Sequence, residues 1–212
     1  MTHIAVVDYG MGNLRSVAKA LEHVAPHAQV EVTGDPDRIR AAERVVFPGQ
    51  GAMPDCMREL EQRKLRPALL EAARDKPFLG LCIGLQMLFE SSEEGPTTGL
   101  AVLPGHVRRF PEGRMYAPGG ERLKVPHMGW NQVVQTARHP LWKGIPDGAR
   151  FYFVHSFYVE ARESGAAVAS SHYAFDFTCA VAYRNIFAVQ FHPEKSALSG
   201  LTLLGNFVHW KP

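Results

Sequence analysis

The sequence predicts an α/β fold: an open, mostly parallel sheet with helices on both faces, and additional antiparallel strands in the C-terminal half. Two patterns predict it. In the first half, short apolar runs alternate with stretches of helical period, as in strands joined by helical crossovers. In the second half, strand-like runs follow one another closely with turn residues between them. With 212 residues, 46% hydrophobic and 21% charged, the chain can bury one sizeable core, so residues 1–212 are expected to form a single domain.

The elements follow in order. Ile4 to Val7 reads as a strand, Gly10 to Asn13 as a loop, and Leu14, Val17, Ala18 and Leu21 as one face of a helix capped by Asn13. Val30 to Thr33 and Arg44 to Phe47 are the next strands, the latter ending in Pro48-Gly49-Gln50-Gly51. A helical stretch over 54–74 leads to a buried strand, 77–81, and a helix is expected from Ile83 through Glu90. Later strand candidates are 105–110, 131–135, 151–154, 157–160, 167–170, 177–183 and 186–191, the last two a hairpin closed by Arg184-Asn185. Pro and Gly residues make 111–122 a long loop. From Ser196 onward, Leu201, Leu204, Phe207 and Val208 mark a helix packed on the sheet. Function is then expected at the carboxyl ends of the parallel strands, where Asp8, Gly49 and Cys82 fall.

Composition excludes several classes. A net charge of +2 with scattered basic residues gives no reason to propose nucleic acid. Three distant cysteines form neither a disulfide framework nor a metal cluster and fit a reducing, cytoplasmic setting. No window is long and apolar enough for a membrane span, and no signal peptide is visible. No metal or other cofactor is implied. The segment Asp8-Tyr9-Gly10-Met11-Gly12-Asn13 follows a strand but lacks the third glycine and the lysine of nucleotide loops.

Chemistry concentrates at Gly80-Leu81-Cys82-Ile83-Gly84 and His192-Pro193-Glu194. Cys82 stands at a strand-to-helix turn framed by glycines, the position of a nucleophile elbow, where a helix N-terminus favours a thiolate. Cys56 and Cys179 lack that frame and read as small buried hydrophobes. Pro193 biases His192 towards extended backbone, so His192 and Glu194 face one side and the carboxylate can fix the imidazole tautomer. Nucleophile, base and orienting acid suit acyl transfer through a thioester. One oxyanion donor is expected from the Ile83 N–H and another from the loop of Gly49, Gln50 and Gly51. Gln86, one helical turn beyond Cys82, faces back over it.

The combination of Pro48-Gly49-x-Gly51, Gly80-x-Cys82-x-Gly84-x-Gln86 and Gln190-Phe191-His192-Pro193-Glu194 resembles the class I, triad-type glutamine amidotransferases. The runs 8–13, 124–131, 152–156 and 192–196 narrow the resemblance to a branch of that family, and Pro126-His127-Met128-Gly129-Trp130-Asn131 is its strongest mark. That branch comprises the glutaminase subunits that serve a (β/α)₈-barrel cyclase in histidine biosynthesis. The resemblance implies hydrolysis of L-glutamine by Cys82, His192 and Glu194, and delivery of ammonia to the barrel partner in a heterodimer. It further implies that Gln86, Glu94, Ser156 and Phe157 hold glutamine. Asn13, Pro126, His127, Met128, Trp130, Tyr152 and Lys195 are implied to face the partner. Gln50 stands where family members more often carry valine. Another class I glutaminase, an inactive scaffold of the same fold, a cysteine peptidase and a metal enzyme are the competing readings, in falling order.

Overall fold

A computed structural model of the chain describes residues 2–163 and 165–212. It begins with strand β1 (His3–Val7), helix α1 (Leu14–Val24), strand β2 (Gln29–Thr33), helix α2 (Pro36–Ala41) and strand β3 (Arg44–Gly49). Helices α3 (Met53–Gln62) and α4 (Arg66–Asp75), strand β4 (Phe78–Cys82) and the single-turn helix α5 (Ile83–Gln86) come next. Strands β5 (Phe89–Ser92), β6 (Thr97–Thr98), β7 (Leu103–Arg109), β8 (His127–Gln132), β9 (Val134–Gln135) and β10 (Arg150–His155) follow. The chain ends with β11 (Phe157–Ala161), β12 (Ala167–Tyr173), β13 (Phe175–Tyr183), β14 (Ile186–Val189) and helix α6 (Ala197–His209).

The main sheet runs β2-β1-β3-β4-β14-β13-β11-β7-β5-β6. From β2 to β14 neighbours are parallel. Beyond β14 pairing turns antiparallel, apart from β5 on β7. Strands β8 and β10 make a separate antiparallel ribbon. Side chains alternate across the parallel strands. Ile4, Val6 and Val46 join the layer of α1 and α6, whereas Val7, Val45 and Phe47 join that of α3 and α4. Helices thus cover both faces, as the near-continuous apolar strands require.

Several elements depart from the sequence reading, each for a local reason. The stretch 54–74 is two helices. The N–H of Lys64 bonds the Glu61 carbonyl and that of Leu65 the Leu60 carbonyl, a Schellman ending, with Lys64 at φ 56°. Pro67, at the first turn of α4, prevents a continuous helix. The helix expected over 83–90 stops after one turn because Leu100, Val102 and Leu103 donate to the Met87 and Leu88 carbonyls, drawing the chain into β5. Helix α2, with Asp35 capping the Asp37 N–H, has too short an apolar face to reveal itself. Asn13 precedes α1, but its side chain makes no capping bond. The strand expected at 131–135 is two, β8 on β10 and β9 on β12. The loop 111–122 carries a short 3₁₀ turn and a Tyr116–Arg122 bridge. On α6, Leu204, Phe207 and Val208 are buried as expected, together with Leu203, while Leu201 is half-buried.

Candidate active site

Parallel register brings the chemistry-bearing segments together. Gly49 at the end of β3 is opposite Cys82 at the end of β4, and Leu81 is opposite Val189 at the end of β14. Three consecutive strands therefore release the loop 48–51, the Cys82 turn and the segment 190–194 side by side at one edge.

Cys82 has φ 54° and ψ −110°, the conformation of the first central residue of a type II′ turn, unfavourable for a residue with a Cβ. The glycines around it are required by close approach. A Cβ on Gly84 would lie 1.9 Å from the Phe47 carbonyl oxygen, and one on Gly80 would lie 2.9 Å from the Ala188 Cβ. Strands β3, β4 and β14 can pack around the turn only without those side chains.

Cys82, Ile83, Gln86 and His192 line one cavity of about 310 Å³, with Gln50, Gly51, Glu94, Pro126 and the run 154–157, which includes His155, completing its wall. That is the lower end of small-molecule sites. His192 is buried, and its Nδ1 lies 2.9 Å from Glu194 Oε1, so the ring carries its proton on Nδ1 toward the carboxylate. Its Nε2 has no hydrogen-bond partner among the described residues. Burial opposes protonation of this ring, but a Cys82 thiolate and the Glu194 carboxylate outweigh it and raise the imidazole pKa. Ser196 Oγ donates to the His192 carbonyl at 2.6 Å and accepts from the Tyr152 N–H at 3.0 Å, while the His192 N–H donates to the Tyr152 carbonyl at 2.9 Å. The segment is thus held on β10.

Gln86 donates through Nε2 to the Phe157 carbonyl at 3.2 Å and to Gln190 Oε1 at 3.0 Å; its own Oε1 is a buried acceptor with no partner among the described residues. Gln190 Nε2 points to Cys82 Sγ at 3.7 Å. Gln190 is fully buried, and the sequence reading assigned it no role. A glutamine inside an otherwise apolar run, two residues before His192, was the available signal.

Two further side chains act on the loop 48–51. Buried Tyr9 donates to the Pro48 carbonyl at 2.9 Å, and the Cys56 thiol donates to the Gln50 carbonyl at 3.5 Å. Together they fix the direction of the peptide groups flanking Gly49–Gln50. Burial pushes the Cys56 thiol up to about 11, so it remains a neutral donor. Cys56 and Cys179 are both buried and free. Gly49 itself is outside the cavity wall, packed against Tyr9, Ile83 and Gly84.

Glu94 is half-buried. Its Oε2 accepts from the Met53 N–H at 2.8 Å, at the start of α3, and burial raises its carboxyl pKa. Among the residues expected to face a partner, Met128 (62% exposed) and Trp130 (50% exposed) lie on the outer side of β8. Trp130 meets the Tyr152 ring edge-on at 6.3 Å, and Lys195 Nζ sits 5.9 Å from that ring. Asn13 is half-buried ahead of α1, which packs on the turn containing Lys195. Pro126 is exposed and also borders the cavity. His127 corrects the expectation: at 3% exposure it is packed inward, stacked on Tyr173 with ring centroids 4.1 Å apart, and cannot face a partner. Strand alternation explains this, since His127 and Met128 must point to opposite sides.

The family model for "Glutamine amidotransferase class-I" matches residues 5–210. The chain belongs to this family. Similar curated relatives are named imidazole glycerol phosphate synthase subunit HisH. The one from Nitrosospira multiformis is 66% identical over 212 residues, covering 100% of both chains. The one from Aromatoleum aromaticum is 63% identical over 212 residues, again covering 100% of both. Among solved structures, PurLQS of Thermotoga maritima matches with a TM-score of 0.73 at 18% identity, over 98% of each chain. A glutamine amidotransferase from Thermotoga maritima matches with a TM-score of 0.60 at 18% identity, over 91% of this chain and 76% of that one. At such identities the structural likeness carries the amidotransferase fold. No helix among the described residues is long and apolar enough to cross a membrane.

Proposed function

We propose that this amidotransferase is the glutaminase subunit of an imidazole glycerol phosphate synthase, a single cytoplasmic domain working against a (β/α)₈-barrel cyclase. The observation that carries the reading is His192: anchored through Nδ1 to Glu194, it shares with Cys82 a cavity of amino-acid size. The assignment to this synthase rests on the relatives that match from end to end.

The Cys82 thiol gives its proton to His192 Nε2 as its sulfur attacks the carboxamide carbon of L-glutamine. The oxygen gains charge and takes hydrogen bonds from the Ile83 N–H and the loop 49–51; each such donor is worth about 3 kcal/mol. His192 Nε2 passes a proton to the amide nitrogen, the carbon–nitrogen bond breaks and ammonia leaves. Water then gives a proton to His192 and attacks the thioester; the carbon–sulfur bond breaks, glutamate leaves, and His192 returns the proton to the sulfur, restoring the thiol. Gln86, with its free Oε1, and Glu94, Ser156 and Phe157 hold the amino-acid end. Met128, Trp130, Tyr152 and Lys195 form the docking patch, with Asn13 and Pro126 at its margin. Ammonia crosses into the partner and is used to form imidazole glycerol phosphate and the aminoimidazole carboxamide ribotide.

The test is glutamate release from glutamine by the chain alone, and with a barrel cyclase and its nucleotide substrate present. Release is expected to depend on Cys82 and to rise with the partner. Release that survives Cys82→Ala would refute the assignment, as would its absence under every condition.

A further inference from the structure

Two buried histidines outside the proposed catalytic group are joined in a single hydrogen-bonded line. Asn131 Nδ2 approaches His127 Nε2 at 3.2 Å, His127 Nδ1 approaches His155 Nε2 at 2.9 Å, and His155 Nδ1 approaches the Phe157 carbonyl at 2.7 Å. The Phe157 carbonyl also accepts from Gln86, which bonds Gln190, whose amide points to Cys82. The line therefore starts on the strand bearing Met128 and Trp130 and ends at the sulfur.

Its polarity is forced. A carbonyl only accepts, so His155 must carry hydrogen on Nδ1 and accept at Nε2. His127 must then donate from Nδ1 and accept at Nε2 from the Asn131 amide, whose other hydrogen goes to the His172 carbonyl at 2.8 Å. Every donor meets an acceptor only if both rings are neutral and both carry the Nδ1 proton, the less common form of a free imidazole. The surroundings agree: Phe110, Phe153, Tyr173 and Phe177 pack against the pair, and His155 also borders the catalytic cavity. Burial holds His127 down at about 4 and His155 at about 3.

We propose that His127 and His155 are positioning residues: a one-directional chain that pins the Phe157 carbonyl and thereby sets Gln86 and Gln190 against Cys82. This rests on the glutaminase reading for its kinetic consequence, though not for its spectroscopic one. Losing the chain frees the Phe157 carbonyl and Gln86, so glutamine binding should suffer more than turnover.

Long-range proton–nitrogen spectra of the imidazoles in the full chain test the geometry without any substitution. Neutral rings protonated on Nδ1 are expected for both residues from about pH 8 to about pH 6, where an ordinary histidine is already mostly charged. A neutral Nε2–H ring at either position, or a charged one at pH 6, would overturn the proposal. Kinetics of the subunit with its barrel partner test the consequence. His155→Leu is expected to raise KM for glutamine about tenfold, the equivalent of one lost hydrogen bond, with a smaller fall in kcat. His155→Gln, which keeps a donor for the Phe157 carbonyl, should recover most of the loss. Equal damage in both variants, or an unchanged KM, would contradict the positioning role. Should His155→Leu fail to fold, the spectra still decide. Cys82→Ala as a control separates failure of this inference from failure of the glutaminase reading.

Discussion

At the scale of single residues, the Cys82 turn places a side chain where backbone sterics favour glycine, and such strain costs about 1–3 kcal/mol. A replacement that keeps a Cβ retains the strain, whereas glycine removes it and gives back part of the gain as unfolded-chain entropy. Cys82→Gly is therefore expected to be more stable than Cys82→Ala by about 1 kcal/mol, read from urea unfolding of the two variants. Equal midpoints would mean the turn is relaxed. Individual residues were also where the sequence was most and least legible. Cys82, His192 and Glu194 could be picked out because each sits in a local frame of Gly or Pro that states its backbone geometry. Tyr9, His155 and Gln190 could not, because their partners are contributed by distant segments and only the folded sheet joins them. His127, expected to face a partner, is one position from the exposed side of its strand.

Among the elements, the alternation of strands and helices was readable because burial on both faces leaves apolar runs of distinct period. Boundaries set by tertiary hydrogen bonds were not. The stop after α5 depends on the 100–103 segment capturing the Met87 and Leu88 carbonyls. The α3–α4 break could have been seen in part, since Pro67 follows the Lys64 position by three residues. Lys64 occupies the left-handed conformation that a Schellman ending ordinarily gives to glycine. Lys64→Gly is expected to stabilise the chain by up to about 1 kcal/mol, seen as a raised Tm, with no change in glutamine hydrolysis. A lowered Tm would show that Lys64 contributes interactions the strained backbone does not reveal.

Across the whole molecule, neutral burial of His127 and His155, joined by His139 near 4, makes stability depend on acid. These folded values lie below the ordinary 6.5, so below that pH the unfolded chain binds more protons than the folded one. Their contribution is complete above about pH 6.5 and declines as the pH falls toward the folded values. Urea midpoints at about pH 7.5 and about pH 5.5 should differ less in His127→Gln than in the unchanged chain. An equal difference would mean that His127 is not held neutral. The same architecture that buries these rings places three strand ends side by side, and the proposed chemistry depends on that convergence. A glutamine-analogue electrophile, with the modified residue located by peptide mass spectrometry, tests it most directly. A single adduct on Cys82 is expected, blocked by excess glutamine, with the buried Cys56 and Cys179 unmodified. Modification of Cys56 or Cys179 in preference to Cys82, or labelling that glutamine does not slow, would contradict the account.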